Sequence, residues 1–278
     1  MKDAVREAAG GADMTFDVAA SRRRCLAYRR RILDISQQAP AVHAAPAFSC
    51  VEMVDVVYRG LLRADRDIFL MSKGHGCLAQ YVVLQDLAVL DEHDVELYCK
   101  PGGHLGAHPD YGVPGIAAST GSLGHGLGMG VGMAYAERIK REDRRIYVLI
   151  SDGELQEGST WEALMMAANL KLDNLVALVD LNDFSSLERM SEGHPAFYPL
   201  VDKLAAFGWE VRQVNGHDAE AVHEAIAGRK GDRPFILVGQ TIKGKGVAYM
   251  ENVPIWHYRS PNPEELAVAL AGICEVSS

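Results

Sequence analysis

The sequence predicts an α/β fold in which a mostly parallel sheet is covered by helices on both faces. Two stretches, 145–150 and 175–181, are apolar over almost their whole length, as is typical of buried strands. The segment 157–170 between them has the spacing of a helix, and strands and helices continue to alternate towards the C-terminus. This alternation favours parallel strands whose connecting helices pack on both sides of the sheet.

Local signals predict the other elements in chain order. Ser49 and Glu52 match the capping-box pattern, which predicts that a helix begins after Ser49 and follows a loop over 37–48. The glycine- and proline-rich stretch 100–120 and the stretch 183–199 predict loops, and a loop as long as the first is usually functional or disordered. The remaining predicted helices are 16–36, 77–87, 91–99, 123–139, 200–207, 219–227 and 263–273, and the remaining strands are 67–71, 209–214 and 235–241. Residues 1–15 are predicted to be a flexible N-terminus, and residues 16–278 to form a single domain.

Composition narrows the class of protein. The chain has 278 residues, 48% of them hydrophobic, which is enough to bury a large core. Its net charge of −9 argues against nucleic acid as a partner and against a polybasic membrane anchor. The five cysteines form no Cys-x-x-Cys pair, and no apolar run is long enough to cross a membrane. We therefore expect a cytoplasmic protein with reduced thiols and no membrane partner.

Polar groups follow two neighbouring strands at the point where each strand ends. Asp152 follows the strand 145–150, and Asn182 follows the next strand thirty residues later. The carboxyl ends of parallel strands form one edge of the sheet, where open α/β sheets bind ligands. A carboxylate, an amide oxygen and the main-chain carbonyl of Phe184 are ligands suited to Mg²⁺, and Gly153 lets a phosphate approach the backbone. The plain alternative is a βα turn in which Asp152 caps the following helix.

These residues resemble a known cofactor motif. The spacing from Asp152-Gly153 to Asn182 resembles the thiamine diphosphate motif, in which Gly-Asp-Gly precedes Asn by some thirty residues. The string at 151–163 resembles its transketolase version, with Ser151 in place of the first glycine. The resemblance implies a thiamine diphosphate-binding fold, a bound thiamine diphosphate, and Mg²⁺, or Ca²⁺ or Mn²⁺ in its place. The implied metal ligands are Asp152, Asn182 and Phe184.

Further motifs extend the resemblance to transketolases along most of the chain. They are Ser-Lys-Gly-His at 72–75, Gly-Ala-His-Pro at 106–109, Thr-Gly-Ser-Leu-Gly-His at 120–125, the lysine of 241–246, and Trp-His at 256–257. The residues implied to bind the cofactor are Lys73, His75, Gly121, Ser122, Leu123, Asp152, Gly153, Glu154, Asn182, Lys243 and His257. The residues implied to be catalytic are His43, His75, His108 and His257. Histidines of near-neutral pKa suit proton transfers to and from hydroxyl and carbonyl groups.

Besides Ser151, the sequence departs from the family pattern at three places. The loop that contains His43 has Ala44, Ala45, Pro46 and Ala47 where the family has glycines. His125 replaces a glutamine, and Tyr258 replaces the glycine of the family's Trp-His-Gly. These changes leave open which sugar the protein accepts.

The resemblance covers only the N-terminal half of a full-length transketolase. The missing half binds the aminopyrimidine and supplies the glutamate that activates the cofactor, so a separate C-terminal subunit is implied, most simply in an α2β2 heterotetramer. Glu157 matches a glutamate at the family's subunit contact. Glycines spaced through 124–132 predict either tight packing within the domain or a subunit interface.

The expected reaction is transfer of a two-carbon ketol unit from a ketose phosphate to an aldose phosphate, although phosphorylation of the sugars is unproven. Two alternatives stay open. One is another two-chain thiamine diphosphate enzyme, either similar to 1-deoxyxylulose-5-phosphate synthase or a decarboxylase or dehydrogenase component. The other is a non-catalytic regulatory half-protein.

Overall fold

The computed structural model describes residues 16–39 and 42–275, and the side chains up to residue 273. The predicted flexible segment 1–15 lies outside the described residues, and the assignment of 16–278 to a single domain stays a prediction. Labels follow chain order. The strands are β1 Ile68–Met71, β2 Ile146–Ser151, β3 Leu175–Leu181, β4 Phe184–Ser185, β5 Glu188–Arg189, β6 Glu210–Asn215 and β7 Phe235–Gln240. The helices are α1 Val18–Ser36, α2 Ala44–Val56, α3 Cys77–Asp86, α4 Glu92–Glu96, α5 Gly126–Lys140, α6 Gly158–Asn169, α7 Met190–Gly193, α8 Leu200–Ala206, α9 Ala219–Ala227 and α10 Pro263–Glu275.

A five-stranded parallel sheet in the order β1-β2-β3-β7-β6 forms the centre of the fold. Side chains alternate between the two faces along each strand, so a fully buried strand supplies both layers. In β2, Tyr147 and Leu149 join the core that contains α1, α2, α3, α9 and α10. Ile146, Val148 and Ile150 join the core that contains α5, α6 and α8. The predicted α/β fold with helices on both faces is confirmed.

The prediction for the start of α2 was wrong. The helix begins at Ala44 and includes Pro46, which is tolerated because a residue in the first turn needs no helical hydrogen bond from its amide. Ser49 is therefore an interior residue. Glu52 does not cap the helix but is buried, and it accepts hydrogen bonds from both terminal guanidinium nitrogens of Arg29 at 2.6 and 2.9 Å. The side chain of Glu52 therefore binds Arg29 of α1 and does not cap the start of its own helix.

Two further helices are shorter than predicted. The helix expected over 91–99 ends at Glu96, and Cys99 has a left-handed φ of 54°. The helix expected from residue 123 begins at Gly126, because Gly121 and Gly124 have positive φ values and belong to a turn. The stretch 183–199 holds the β4–β5 hairpin, α7 and a short 3-10 turn.

The glycines of α5 fall into two groups with different surroundings. A Cβ atom at Gly126 would lie 2.1 Å from Ser72 Oγ, and one at Gly130 would lie 2.5 Å from a Val148 methyl group, so these two let the helix pack closely on the sheet side. A Cβ atom at Gly128 or Gly132 would meet no described heavy atom within 4 Å. The two outward glycines therefore have no packing role among the described residues. Gly124 lies before the helix, and a Cβ atom there would lie within 3 Å of Glu157 and Ser159.

No helix among the described residues is long and apolar enough to cross a membrane.

Candidate active site

The carboxyl ends of β1, β2, β3 and β7 meet at one edge of the sheet and surround a cavity of about 400 Å³. The start of α2 and the 100–120 loop close its other sides. The cavity brings together ten of the predicted site residues: His43, His75, His108, Gly121, Leu123, Gly153, Asn182, Phe184, Lys243 and His257. Pro46, Ser151, Ser185, Ser186 and Tyr258 complete the lining.

The carboxylate of Asp152 is fully buried at the base of this edge. Its two oxygens accept hydrogen bonds from the backbone N–H groups of Gly153 at 2.8 Å and of Asp183 at 2.6 Å. Burial, together with the nearby negative charge of Asp180, raises the pKa of Asp152 to about 7. The ionised form is therefore costly here unless a cation lies beside it.

Asn182 and Phe184 stand beside Asp152 as predicted. The Asn182 amide donates to Asp180 at 3.0 Å and accepts from the Phe184 N–H at 3.1 Å, which fixes its orientation. A Cβ atom on Gly153 would lie 3.4 Å from the Phe184 carbonyl oxygen, so glycine keeps this approach open. One carboxylate, one amide oxygen and one carbonyl are hard oxygen donors that fit Mg²⁺. The described residues hold no cluster of three or more His, Cys, Asp or Glu side chains that could bind a metal, but a donor set with one acid does not need such a cluster.

Asp180 is a buried residue of the candidate site that the sequence motifs did not predict. It lies in β3, is fully buried, and forms an ion pair with Lys73, which is also fully buried. Ser49 lies 2.5 Å from the same carboxylate, and Thr241 also donates to it. Although burial opposes ionisation, the ammonium of Lys73 lowers the pKa of Asp180. An aspartate within an otherwise apolar strand was the available signal, because a buried charge needs a partner.

Two of the predicted cofactor-binding residues stand behind the cavity wall. Lys73 donates to the Pro46 carbonyl at 3.0 Å and is turned towards Asp180. Glu154 is fully buried and accepts from Ser72 and from the Gly124 N–H at 3.0 Å. Neither lines the cavity, and nor does Asp152, so the contact of Lys73 and Glu154 with a cofactor stays a prediction. Ser122 is exposed and also lies outside the lining.

Four histidines form one cluster in the cavity. The ring centroid of His43 lies 5.9 Å from that of His75, 5.7 Å from His108 and 5.4 Å from His257. Burial and neighbouring positive charges lower the pKa of His43 to about 4 and that of His257 to about 3. Burial also lowers the pKa values of His75 and His108. All four rings are therefore neutral at pH 7, and His43 Nδ1 has no hydrogen-bond partner among the described residues.

Lys243 is the cationic group that lines the cavity. Its ammonium donates to the Ser186 carbonyl at 2.6 Å and lies 2.7 Å from His257 Nδ1. Burial and the charge of Lys73 lower the pKa of Lys243 to about 7. A bound anion would restore its charge, just as a bound cation would restore that of Asp152. The cavity thus fits a ligand that carries a metal cation and a phosphate group together.

A hydrogen-bonded chain of Arg29, Glu52 and His217, of which the first two are buried, fixes the segment that carries Lys243. His217 Nδ1 lies 3.0 Å from Glu52, and its Nε2 accepts from the Ile242 N–H at 2.8 Å, so the proton is on Nδ1. Burial opposes ionisation of Glu52, but Arg29 and His217 together lower its pKa to about 2. Helices α1 and α2 thereby hold the residue next to Lys243 in place.

Residues 20–265 match the family model described as transketolase, thiamine diphosphate binding domain. The chain belongs to the transketolase family. It is 36% identical over 257 residues to a subunit of the apulose-4-phosphate transketolase of Phocaeicola vulgatus, with 89% of this chain and 91% of the relative covered. It is 34% identical over 240 residues to the 6-deoxy-6-sulfo-D-fructose transketolase subunit SqwG of a Clostridium species, with 82% and 87% covered.

Solved transketolases share the fold. The enzyme from Campylobacter jejuni matches with a TM-score of 0.84 at 24% identity, over 93% of this chain and 43% of that enzyme. This chain therefore spans less than half the length of that structure, whereas it spans nearly all of the relatives that are named as subunits. The predictions of transketolase membership, of a thiamine diphosphate-binding domain and of an enzyme of this class are confirmed.

Proposed function

We propose that this chain is the thiamine diphosphate-binding subunit of a two-component transketolase. Together with a C-terminal subunit, it transfers a two-carbon ketol unit from a ketose or its phosphate to an aldose or its phosphate. The observation that carries the proposal is a cavity that is lined by Lys243 and by Gly153, whose N–H donates to the fully buried carboxylate of Asp152. Burial raises the pKa of Asp152 and lowers that of Lys243, each to about 7, so a nearby metal-bound diphosphate would favour the charged form of both.

In this proposal, Asp152, Asn182 and the Phe184 carbonyl hold Mg²⁺, or Ca²⁺ or Mn²⁺ in its place. Lys243 and His257 bind the diphosphate, and Gly121 and Leu123 lie along the aminopyrimidine. When bound, thiamine diphosphate supplies a nucleophilic carbon that stabilises the two-carbon fragment during cleavage of a carbon–carbon bond.

The histidine cluster would transfer protons to and from the substrate. Because the four rings are neutral, each has one nitrogen that can accept a proton and one that can donate. The ring of His43 lies among three other imidazoles, and its Nδ1 has no hydrogen-bond partner among the described residues, which suits it to a substrate hydroxyl or carbonyl. We propose His43, His75, His108 and His257 as the catalytic set.

The partner is a separate C-terminal subunit. The relatives that are named as single subunits of apulose-4-phosphate transketolases support this, because an enzyme whose subunits carry separate names has at least one further chain. The outward face of α5 and α6 supports an assembly surface, because Gly128 and Gly132 are open and Tyr135, Ile139, Met165 and Met166 are exposed. Large apolar side chains grouped on one surface mark interaction sites. An α2β2 heterotetramer and a cytoplasmic location belong to this proposal.

The test is to purify the chain alone and with the product of a neighbouring gene that encodes a C-terminal transketolase subunit. We expect ketol transfer from ketose phosphates only by the complex, with Mg²⁺ and thiamine diphosphate present. Ketol transfer by the chain alone would overturn the two-component proposal. Turnover of pyruvate but not of ketoses would favour another thiamine diphosphate enzyme, and failure of the complex to bind the cofactor in calorimetric titration would favour a non-catalytic role.

A further inference from the structure

Tyr258 covers two of the cavity histidines. It follows the short turn Pro254–His257, and its ring centroid lies 4.4 Å from that of His257 and 5.4 Å from that of His43. The residue lines the cavity and is 47% exposed, so its ring lies between the histidine cluster and solvent. This chain therefore places a large aromatic side chain over the proposed reactive groups.

A hydrogen bond ties Tyr258 to the opposite side of the cavity. Its hydroxyl lies 2.7 Å from Ser186 Oγ, in the turn between β4 and β5. Ser186 has a left-handed φ of 54°. Its carbonyl accepts a hydrogen bond from Lys243, so this bond and the one to Tyr258 together fix its position. Ser186 is exposed and lines the cavity, as Tyr258 does. The bond therefore joins two separate segments at the solvent side of the site.

We propose that Tyr258 is a specificity-determining residue that limits the chain length of the aldehyde acceptor. This inference rests on the proposed transketolase function. A short aldehyde reaches the histidines beneath the Tyr258–Ser186 bond, whereas the far end of a five-carbon sugar phosphate meets the tyrosine ring. A glycine at this position would leave that space empty. The substrate class is therefore short or compact aldehydes in preference to extended ones.

The experiment uses the assembled two-subunit enzyme with a fixed ketose donor. The kcat/KM values are measured for glycolaldehyde, glyceraldehyde 3-phosphate, erythrose 4-phosphate and ribose 5-phosphate. We expect Tyr258→Gly to raise the ratio of kcat/KM for ribose 5-phosphate over glycolaldehyde by about tenfold or more, mainly through KM of the longer acceptor. Tyr258→Phe and Ser186→Ala remove the hydrogen bond but keep the ring, so each should change the ratio by less than Tyr258→Gly does.

Val268→Ala is the control, because Val268 is an apolar residue of α10 that is 63% exposed and does not line the cavity. Its acceptor ratio should equal that of the wild type. Thermal unfolding checks that each variant folds, and if Tyr258→Gly does not, Tyr258→Ala takes its place with the same expected direction. An active wild-type complex whose acceptor ratio is unchanged by loss of the ring overturns the role of Tyr258 alone. A wild-type complex that is inactive with every donor and acceptor overturns the proposed function as well.

Discussion

The buried ion pair of Lys73 and Asp180 gives the strongest stability prediction. Lys73→Met keeps the length of the side chain but removes the ammonium, which leaves the carboxylate of Asp180 buried without a cation. Breaking a buried pair by removing one partner costs about 3–5 kcal/mol. Ser49, Asn182 and Thr241 still donate to Asp180, so we expect the loss to lie near the lower end of that range.

The assay is urea unfolding of the isolated chain, with Lys140→Met as the matched control. Lys140 pairs with Glu137 at 2.9 Å, but its side chain is 61% exposed, so the same substitution there should cost about 0–1 kcal/mol. The double variant Lys73→Met/Asp180→Asn removes both charges and should be more stable than the sum of the two single losses predicts. If Lys73→Met costs no more than Lys140→Met, the ion pair does not stabilise the fold and the account of this site is wrong.

Three further predictions follow from the site and from helix α5. Asp152→Asn should abolish the stabilisation of the fold by Mg²⁺ and thiamine diphosphate, which is about 2.7 kcal/mol at a hundredfold excess over Kd. Without ligand at pH 8, the variant should be as stable as the wild type or more stable, because a buried charge is removed. Thermal unfolding with and without the ligand measures both effects. Gly126→Ala should destabilise the chain by about 1–3 kcal/mol because of its contact with Ser72, whereas Gly128→Ala should stabilise the isolated chain by about 0.5–1 kcal/mol and weaken its assembly. Urea unfolding measures the stability and analytical ultracentrifugation the assembly. Equal effects of the two variants would contradict the conclusion that the two glycines have different surroundings. Because burial lowers the pKa of His257, the neutral ring stabilises the folded state fully above pH ~6.5. As the pH falls from there towards 3, the free energy of unfolding should fall by about 1.4 kcal/mol per pH unit. His257→Asn should flatten this slope when both proteins also carry Asp152→Asn, since the raised pKa of Asp152 acts in the opposite direction between about pH 4 and 7.

The sheet was predictable because its strands are long, apolar and separated by helices. The edge that carries Asp152 and Asn182 followed from the same pattern, since both residues come directly after a strand. The start of α2 was not predictable from local rules. Ser49 and Glu52 match a capping box, but their partners lie far away in the chain, at Asp180 and Arg29.

The arrangement around the cavity was only partly predictable. Motifs placed Lys73 and Glu154 near a cofactor, but a motif does not say which side chains turn towards the cavity and which turn away from it. Their directions are set by Asp180, Ser72 and the Gly124 amide, which come from other segments. The histidine cluster likewise depends on the 100–120 loop, whose path has no periodic signal.

The ending of β3 has a consequence for how this chain can change over evolutionary time. Asp180 and Asn182 are two positions apart and project to the same side of the strand, while Leu181 projects to the other. Insertion or deletion of one residue upstream in the strand would move a leucine into register with the candidate metal ligands and would turn both polar groups away. Relatives that retain the site should therefore vary in length within the surface loops and never within these seven residues, Leu175–Leu181.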